Sequence, residues 1–224
     1  MHIRYAEFLS RRDSGWQLAQ RLKPYANRPD VLVLGLLRGG VPVAYEVAKV
    51  LDAPLDLCLV RKLSVPGQEE LAMGAIAPGG VQILNPDVIS SLEIPSQTID
   101  AVAARELQEL QRYDRLYRGD RPQLDLRNRT VILVDDGIAT GSTIWAAIAL
   151  LQSKQPARII VAVPVATAQV CDALRHHVDE VVCILTPENV YSIGLWYETF
   201  AQVADEEISK LLALREKQPE YSTV

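Results

Sequence analysis

The chain has 224 residues, 49% hydrophobic and 23% charged, with a formal net charge of −5. That is ordinary globular usage, long enough for one domain with a sizeable core, and it excludes disordered and fibrous architectures. The acidic balance argues against a nucleic-acid partner, the longest apolar run (31–37) is far short of a membrane span of ~20 residues, and Met1 to Arg4 has no signal-peptide profile, so the protein reads as cytoplasmic.

In chain order, residues 13–22 form an amphipathic helix with Ser10 or Asp13 as its cap and Trp16, Ala19 and Leu22 on one face. Five continuously apolar runs, 31–37, 55–60, 130–134, 158–163 and 180–185, read as strands covered on both faces. Segments 43–51, 142–154 and 167–176 have helical period and serve as right-handed crossovers. The fold class is therefore α/β, a doubly wound, mostly parallel five-stranded sheet with helices on both faces.

Two segments exceed a minimal sheet of this kind: the Pro- and Gly-rich stretch 61–84, and a long helix over 96–117. In that helix Arg105, Arg112, Arg115 and Arg118 alternate with Glu106, Glu109 and Asp114, which predicts a solvated, salt-bridged face. Beyond residue 185 comes an aromatic stretch with Tyr191, Trp196, Tyr197 and Phe200, then a last helix over 205–217. Packing is the expected use of these rings, with base stacking the alternative. Cys58, Cys171 and Cys183 are widely spaced and read as reduced, buried thiols, and the three histidines show no ligand spacing.

Chemistry concentrates at residues 131–143, Val-Ile-Leu-Val-Asp-Asp-Gly-Ile-Ala-Thr-Gly-Ser-Thr. In an open α/β sheet, ligands bind outside the carboxyl ends of the strands, so Asp135 and Asp136 are expected to project into a crevice. Adjacent carboxylates there accept hydrogen bonds from a vicinal diol or hold a divalent cation. The small residues that follow, Gly137 and Ala139 to Thr143, bring backbone amides at a helix start toward a phosphate. Thr140, Ser142 and Thr143 add hydroxyl donors beside Gly141. Diol and phosphate one turn apart suit a sugar phosphate. A receiver domain also follows an apolar strand with paired acids, but there the pair follows the first strand, and here it follows the third.

This motif resembles the signature of type I phosphoribosyltransferases, and the resemblance extends over roughly residues 31–185. Arg38-Gly39-Gly40 is similar to the family's pyrophosphate loop, and Arg61-Lys62 to the basic pair beside the pyrophosphate. Arg61-Lys62 with Pro66-Gly67 comes nearest to adenine phosphoribosyltransferases. The overall pattern looks most like the bacterial phosphoribosyltransferases of uncharacterised acceptor.

The resemblance implies 5-phosphoribosyl-1-pyrophosphate as substrate, with Mg2+ carried by it and held in part by Asp135 and Asp136. It also implies a homodimer, a lid at about 63–80 and a hood from the N-terminal segment and about 186–204. Asp135, Asp136, Arg61 and Lys62 become the expected catalytic residues. Hypoxanthine and guanine members carry an acid where this chain has Ala139, which argues against a 6-oxopurine acceptor. The alternative is a non-catalytic regulatory protein that binds the same ribosyl pyrophosphate.

Overall fold

The computed structural model describes residues 6–119, 125–139 and 141–216. Its elements run α1 (Arg11–Arg21), β1 (Val31–Leu36), α2 (Gly40–Leu51), β2 (Leu55–Cys58), β3 (Arg61–Val65), β4 (Gln68–Ile76), β5 (Gln82–Leu84), α3 (Pro86–Ser91) and α4 (Ser96–Tyr113). They continue with β6 (Thr130–Val134), α5 (Ser142–Ser153), β7 (Arg158–Val165), α6 (Ala168–Arg175), β8 (Glu180–Leu185) and α7 (Asp205–Glu216). Among the described residues, no helix is long and apolar enough to cross a membrane. The described residues fall into two units, one drawn from Met1–Cys58, Leu124–Ala139 and Pro156–Val224, the other from Leu59–Gln123 and Thr140–Gln155.

The first unit holds a five-stranded sheet in the order β2-β1-β6-β7-β8. Every pairing is parallel, and all five predicted strands take part. The second strand ends at Cys58, two residues short of the expected 60. Helices flank the sheet, as the apolar strands require: β1 and β6 are buried at every position. On one face Val31, Val33, Ile132 and Val134 pack with Leu18 of α1 and Val47 of α2. Each such side chain removed from water contributes about 1.5–3 kcal/mol.

The α1–α2 crossing corrects one expectation. Trp16 does not lie on the buried face: it is 54% exposed, and α1 instead buries Ser14, Gly15, Leu18 and Ala19. The helices approach too closely for a large side chain, since a Cβ on Gly15 would stand 2.7 Å from the Val43 carbonyl oxygen. Close approach selects small residues over the indole. Ser10 caps the helix, its hydroxyl accepting from the Asp13 amide at 3.3 Å.

Strand order reverses between β1 and β6, where β1 leads out to β2 while β6 leads to β7 and β8. That boundary is the topological switch point, where open α/β sheets form their ligand crevice. Register brings the two strands level, because Gly35 pairs with Val134. The loops that leave β1 and β6 consequently emerge side by side.

The second unit is built on an antiparallel sheet in the order β3-β4-β5. Stretch 61–84 folds as a hairpin with a third strand. Its turn is Pro66-Gly67, with Gly67 at φ 80°, a value that favours glycine. Helices α4 and α5 both pack on β3 and β4. Helix α4 ends at Tyr113, four residues before the expected 117, and passes into one π-helical turn, Asp114–Arg118. Arg112 pairs with Glu109 at 3.2 Å and Arg118 with Asp114, as their spacing predicts, but the face is not solvated throughout: Glu106 and Arg118 are buried, Glu106 against Arg61 of β3.

Candidate active site

Beyond the last residue of β1 the Leu37–Arg38 peptide is cis, and Gly39 leads into α2. Beyond β6 come Asp135 and Asp136. These loops pack so tightly that an ideal Cβ on Gly39 would lie 1.9 Å from Asp136 Oδ2, and one on Gly40 2.9 Å from Asp135 Cα. Gly39 has φ −63°, so space rather than backbone freedom demands glycine there. The structure therefore brings together Arg38, Gly39, Gly40, Asp135 and Asp136. The Arg38 guanidinium pairs with Asp205 at the start of α7, 2.8 Å away, which ties its loop to that helix.

Asp136 departs from the sequence reading, which left both carboxylates open to a ligand. Its Oδ2 accepts from Arg11 Nε at 2.7 Å, and both side chains are largely buried. Arg11 Nη1 donates to the Ala201 carbonyl at 2.7 Å, and the guanidinium lies 3.7 Å over the Phe200 ring centroid. The Tyr197 hydroxyl donates to the Asp136 carbonyl at 2.6 Å and stands 3.2 Å from Ser14 Oγ. Burial raises the Tyr197 pKa, so the phenol keeps its proton.

Asp135 Oδ1 accepts from the Asp136 amide at 2.9 Å. Burial raises the Asp135 pKa well above the carboxylate range, and the Asp136 charge adds to the rise. Burial raises Asp136 as well, opposed by its hydrogen bond from Arg11. One oxygen of each acid, Asp135 Oδ2 and Asp136 Oδ1, has no hydrogen-bond partner among the described residues.

Arg11 and Tyr197 reach Asp136 because the two segments beyond the sheet are stitched together. The amides of Glu7 and Phe8 donate to the Trp196 carbonyl, and those of Glu198 and Thr199 donate to the carbonyls of Phe8 and Leu9. Phe8, Trp196 and Tyr197 are buried in one cluster with Val165. Packing, the expected use of these rings, is what the structure shows for Trp196 and Tyr197. Tyr191 is 78% exposed, and Phe200 carries Arg11 on its face.

The second unit contains Arg61, Lys62, Gly141, Ser142 and Thr143. Arg61 and Lys62 open β3 rather than follow β2 directly. Both Nε and Nη2 of Arg61 donate to Glu106 Oε2 on α4, at 2.8 and 2.7 Å. Helix α5 starts from Gly141 in the left-handed region, φ 80°, and has no side-chain cap. Helix α2, starting from Gly39, and α4, starting from Pro95, also lack one, whereas Ser10, Asn85 and Thr167 cap α1, α3 and α6. The first amides of a helix have no intrahelical partner, which suits a helix start to an anion. Thr140 lies outside the described residues.

Residues 14–197 match the phosphoribosyl transferase domain family. The chain belongs to this family. A Mycobacterium tuberculosis protein assigned as a phosphoribosyl transferase is 44% identical over 205 residues, 92% of this chain and 46% of the relative, in strains CDC 1551 and H37Rv alike. The chain thus spans about half the length of the curated relatives it matches. The crystal structure of TT1426 from Thermus thermophilus is similar throughout, with a TM-score of 0.82, 38% identity, and coverage of 92% of this chain and 97% of that one. The structure of AQ2163 from Aquifex aeolicus shares the fold, at TM-score 0.50 and 13% identity over 82% of this chain and 78% of that one.

Within this phosphoribosyl transferase domain, sequence reasoning missed Arg11, Glu106 and Tyr197. Arg11 stands 125 positions from Asp136, and Glu106 stands 45 from Arg61. No local periodicity or turn chemistry marks a pair at such separation. A weak signal did exist for Arg11: it is the first residue past a helix cap, where an acid complements the helix dipole better than a cation does.

Proposed function

We propose that this domain binds 5-phosphoribosyl-1-pyrophosphate and transfers its phosphoribosyl group to a nitrogenous acceptor, releasing pyrophosphate. One observation carries the reading: at the β1/β6 switch point, a glycine-paired loop with no room for a Cβ lies directly on two adjacent carboxylates. Asp135 and Asp136 would hold the ribose diol through their two unoccupied oxygens. Gly137, Ala139, Thr140, Gly141, Ser142 and Thr143 are assigned to the 5'-phosphate by their order in the motif, supported by the uncapped start of α5. Arg38, Gly39 and Gly40, with Arg61 and Lys62, are assigned to the pyrophosphate.

Among the described residues no cluster of three or more metal-ligating side chains occurs. Two carboxylates with one free oxygen each suit a Mg2+ ion that arrives on the substrate's phosphates, since this ion is commonly held by one or two carboxylates plus phosphate. When bound, it would draw charge off the leaving pyrophosphate.

In the transfer, the acceptor nitrogen forms a bond to ribose C1 as the C1–O bond breaks. Pyrophosphate leaves with the bonding electrons, and the nitrogen's proton passes to water. Positive charge builds on the sugar and negative charge on the leaving group. The carboxylates stabilise the first, while the Gly39 and Gly40 amides and the cations Arg38, Arg61 and Lys62 stabilise the second. Water would intercept such a cation, which gives the hairpin within 63–80 a use as a lid.

Calorimetry tests the assignment. Asp136→Asn should weaken binding of the ribosyl pyrophosphate in the presence of Mg2+ by at least about tenfold, the scale of one charge-assisted hydrogen bond. Undiminished affinity in a folded Asp136→Asn protein removes the diol role. Binding without pyrophosphate release, across a panel of bases, would favour a regulatory role over transfer.

A further inference from the structure

We propose that Arg11 selects the acceptor, and that this acceptor is a planar molecule bearing a carboxylate or carbonyl oxygen near its reacting nitrogen. The inference rests on the reading that Asp136 holds the ribose diol. A group on Asp136 is then one carboxylate away from the sugar's diol, whose 2-hydroxyl neighbours the reacting C1. Arg11 is such a group, with Nε 2.7 Å from Oδ2.

The guanidinium has donors to offer. It carries five N–H bonds in a planar fork. Nε is directed to Asp136 and one N–H of Nη1 to the Ala201 carbonyl, and the remaining three have no partner among the described residues. The side chain is 12% exposed, and none of its nitrogens is among the described side-chain atoms that are both sealed from water and unpartnered, so a ligand oxygen can reach those donors. A carboxylate or carbonyl oxygen matches the fork best, and the carboxylate adds charge assistance.

The surrounding rings narrow the mode of recognition. Phe200 is covered by Arg11 at 3.7 Å and tilts against Tyr197 at a centroid distance of 5.0 Å. Trp196 and Tyr197 are buried in their own cluster. Guanidinium planes stack on rings as well as donate in plane. Ala201 and Phe200 hold the group in place, so its orientation is set before the ligand binds. An adenine-type ring, which lacks exocyclic oxygen, uses this arrangement poorly.

The test compares orotate, uracil and adenine as acceptors, with ribosyl pyrophosphate and Mg2+, in wild type, Arg11→Lys and Arg11→Gln. Pyrophosphate release gives kcat and KM for each acceptor, and calorimetry gives the ribosyl pyrophosphate affinity separately. Orotate or uracil should be preferred. In Arg11→Gln their KM should rise about 10- to 100-fold beyond any loss shared with adenine, the range of a hydrogen bond to a charged group. Arg11→Lys should recover part of that loss, and it serves as the folded comparison should Arg11→Gln melt too low.

An adenine preference overturns the proposal. So does an equal loss on all three acceptors, which would mean that Arg11 acts only through Asp136. Absence of reaction with any of the three while ribosyl pyrophosphate still binds overturns the acceptor class and leaves the sugar site standing. Failure of the wild type to bind ribosyl pyrophosphate refutes the functional reading itself, and this inference falls with it.

Discussion

Gly39→Ala probes the contact on which the site is built. The added Cβ would stand 1.9 Å from Asp136 Oδ2 and 2.6 Å from its Cγ, so the carboxylate must retreat by about 1.1 Å to reach even 3.0 Å. It has little freedom to do so, because Arg11 holds Oδ2 at 2.7 Å and Tyr197 holds the same residue's carbonyl at 2.6 Å. A shift of that size takes Oδ2 off Arg11, and a hydrogen bond between charged groups contributes about 1.5–3 kcal/mol. The backbone adds nothing, since φ at Gly39 is −63°. For a chain of this length each kcal/mol moves Tm by about 2–4 °C, so the variant should melt about 3–12 °C lower.

Binding of the ribosyl pyrophosphate should fall with stability, because the displaced carboxylate is the proposed diol ligand. A thermal melt and a titration of the folded variant measure the two effects. A double-mutant cycle isolates the cause: in Gly39→Ala combined with Asp136→Ala the clash has no target, so the pair should cost little more than Asp136→Ala alone. A wild-type melting temperature in Gly39→Ala, or strict additivity in the double variant, refutes the packing argument.

Asp135→Asn should stabilise the fold by about 0.5–2 kcal/mol while weakening substrate binding, as expected when a buried charge is kept for function. The sign follows from the raised pKa: the folded state holds this proton more tightly than the unfolded chain, so the Asp135 contribution to stability declines as pH rises through the interval between the two values. The Asn variant should lack that decline in melts across pH. Tyr197→Phe removes the hydroxyl that bonds the Asp136 carbonyl and should cost about 1–3 kcal/mol by denaturant titration; a neutral result would show that the carbonyl finds another donor. Asp30, lowered to about 2 chiefly by its hydrogen bond from Arg28, favours the fold above the unfolded carboxylate value and loses that effect as pH falls toward 2. Asp30→Asn should flatten the acid limb of the stability curve, and an unchanged limb would assign acid sensitivity elsewhere.

The amino-acid sequence by itself determined the five strands of the parallel sheet, most helix spans and the motif at 131–143, but not the three strands within 61–84. Each rests on neighbours: apolar runs that only a covered strand tolerates, a 3.6-residue period, and small residues where backbone must meet an anion. Chain order also sufficed to place Asp135 and Asp136 at the end of a buried strand. Only the tertiary structure decided what those acids touch. Arg11 reaches Asp136 because residues 7–9 hydrogen-bond along 196–199, and Arg61 is fixed by Glu106 because α4 packs on β3. Trp16 is exposed because Gly15 lets α1 press against α2. Such outcomes depend on which surfaces meet across long stretches of chain, and hydropathy at one position carries no record of the partner it will find.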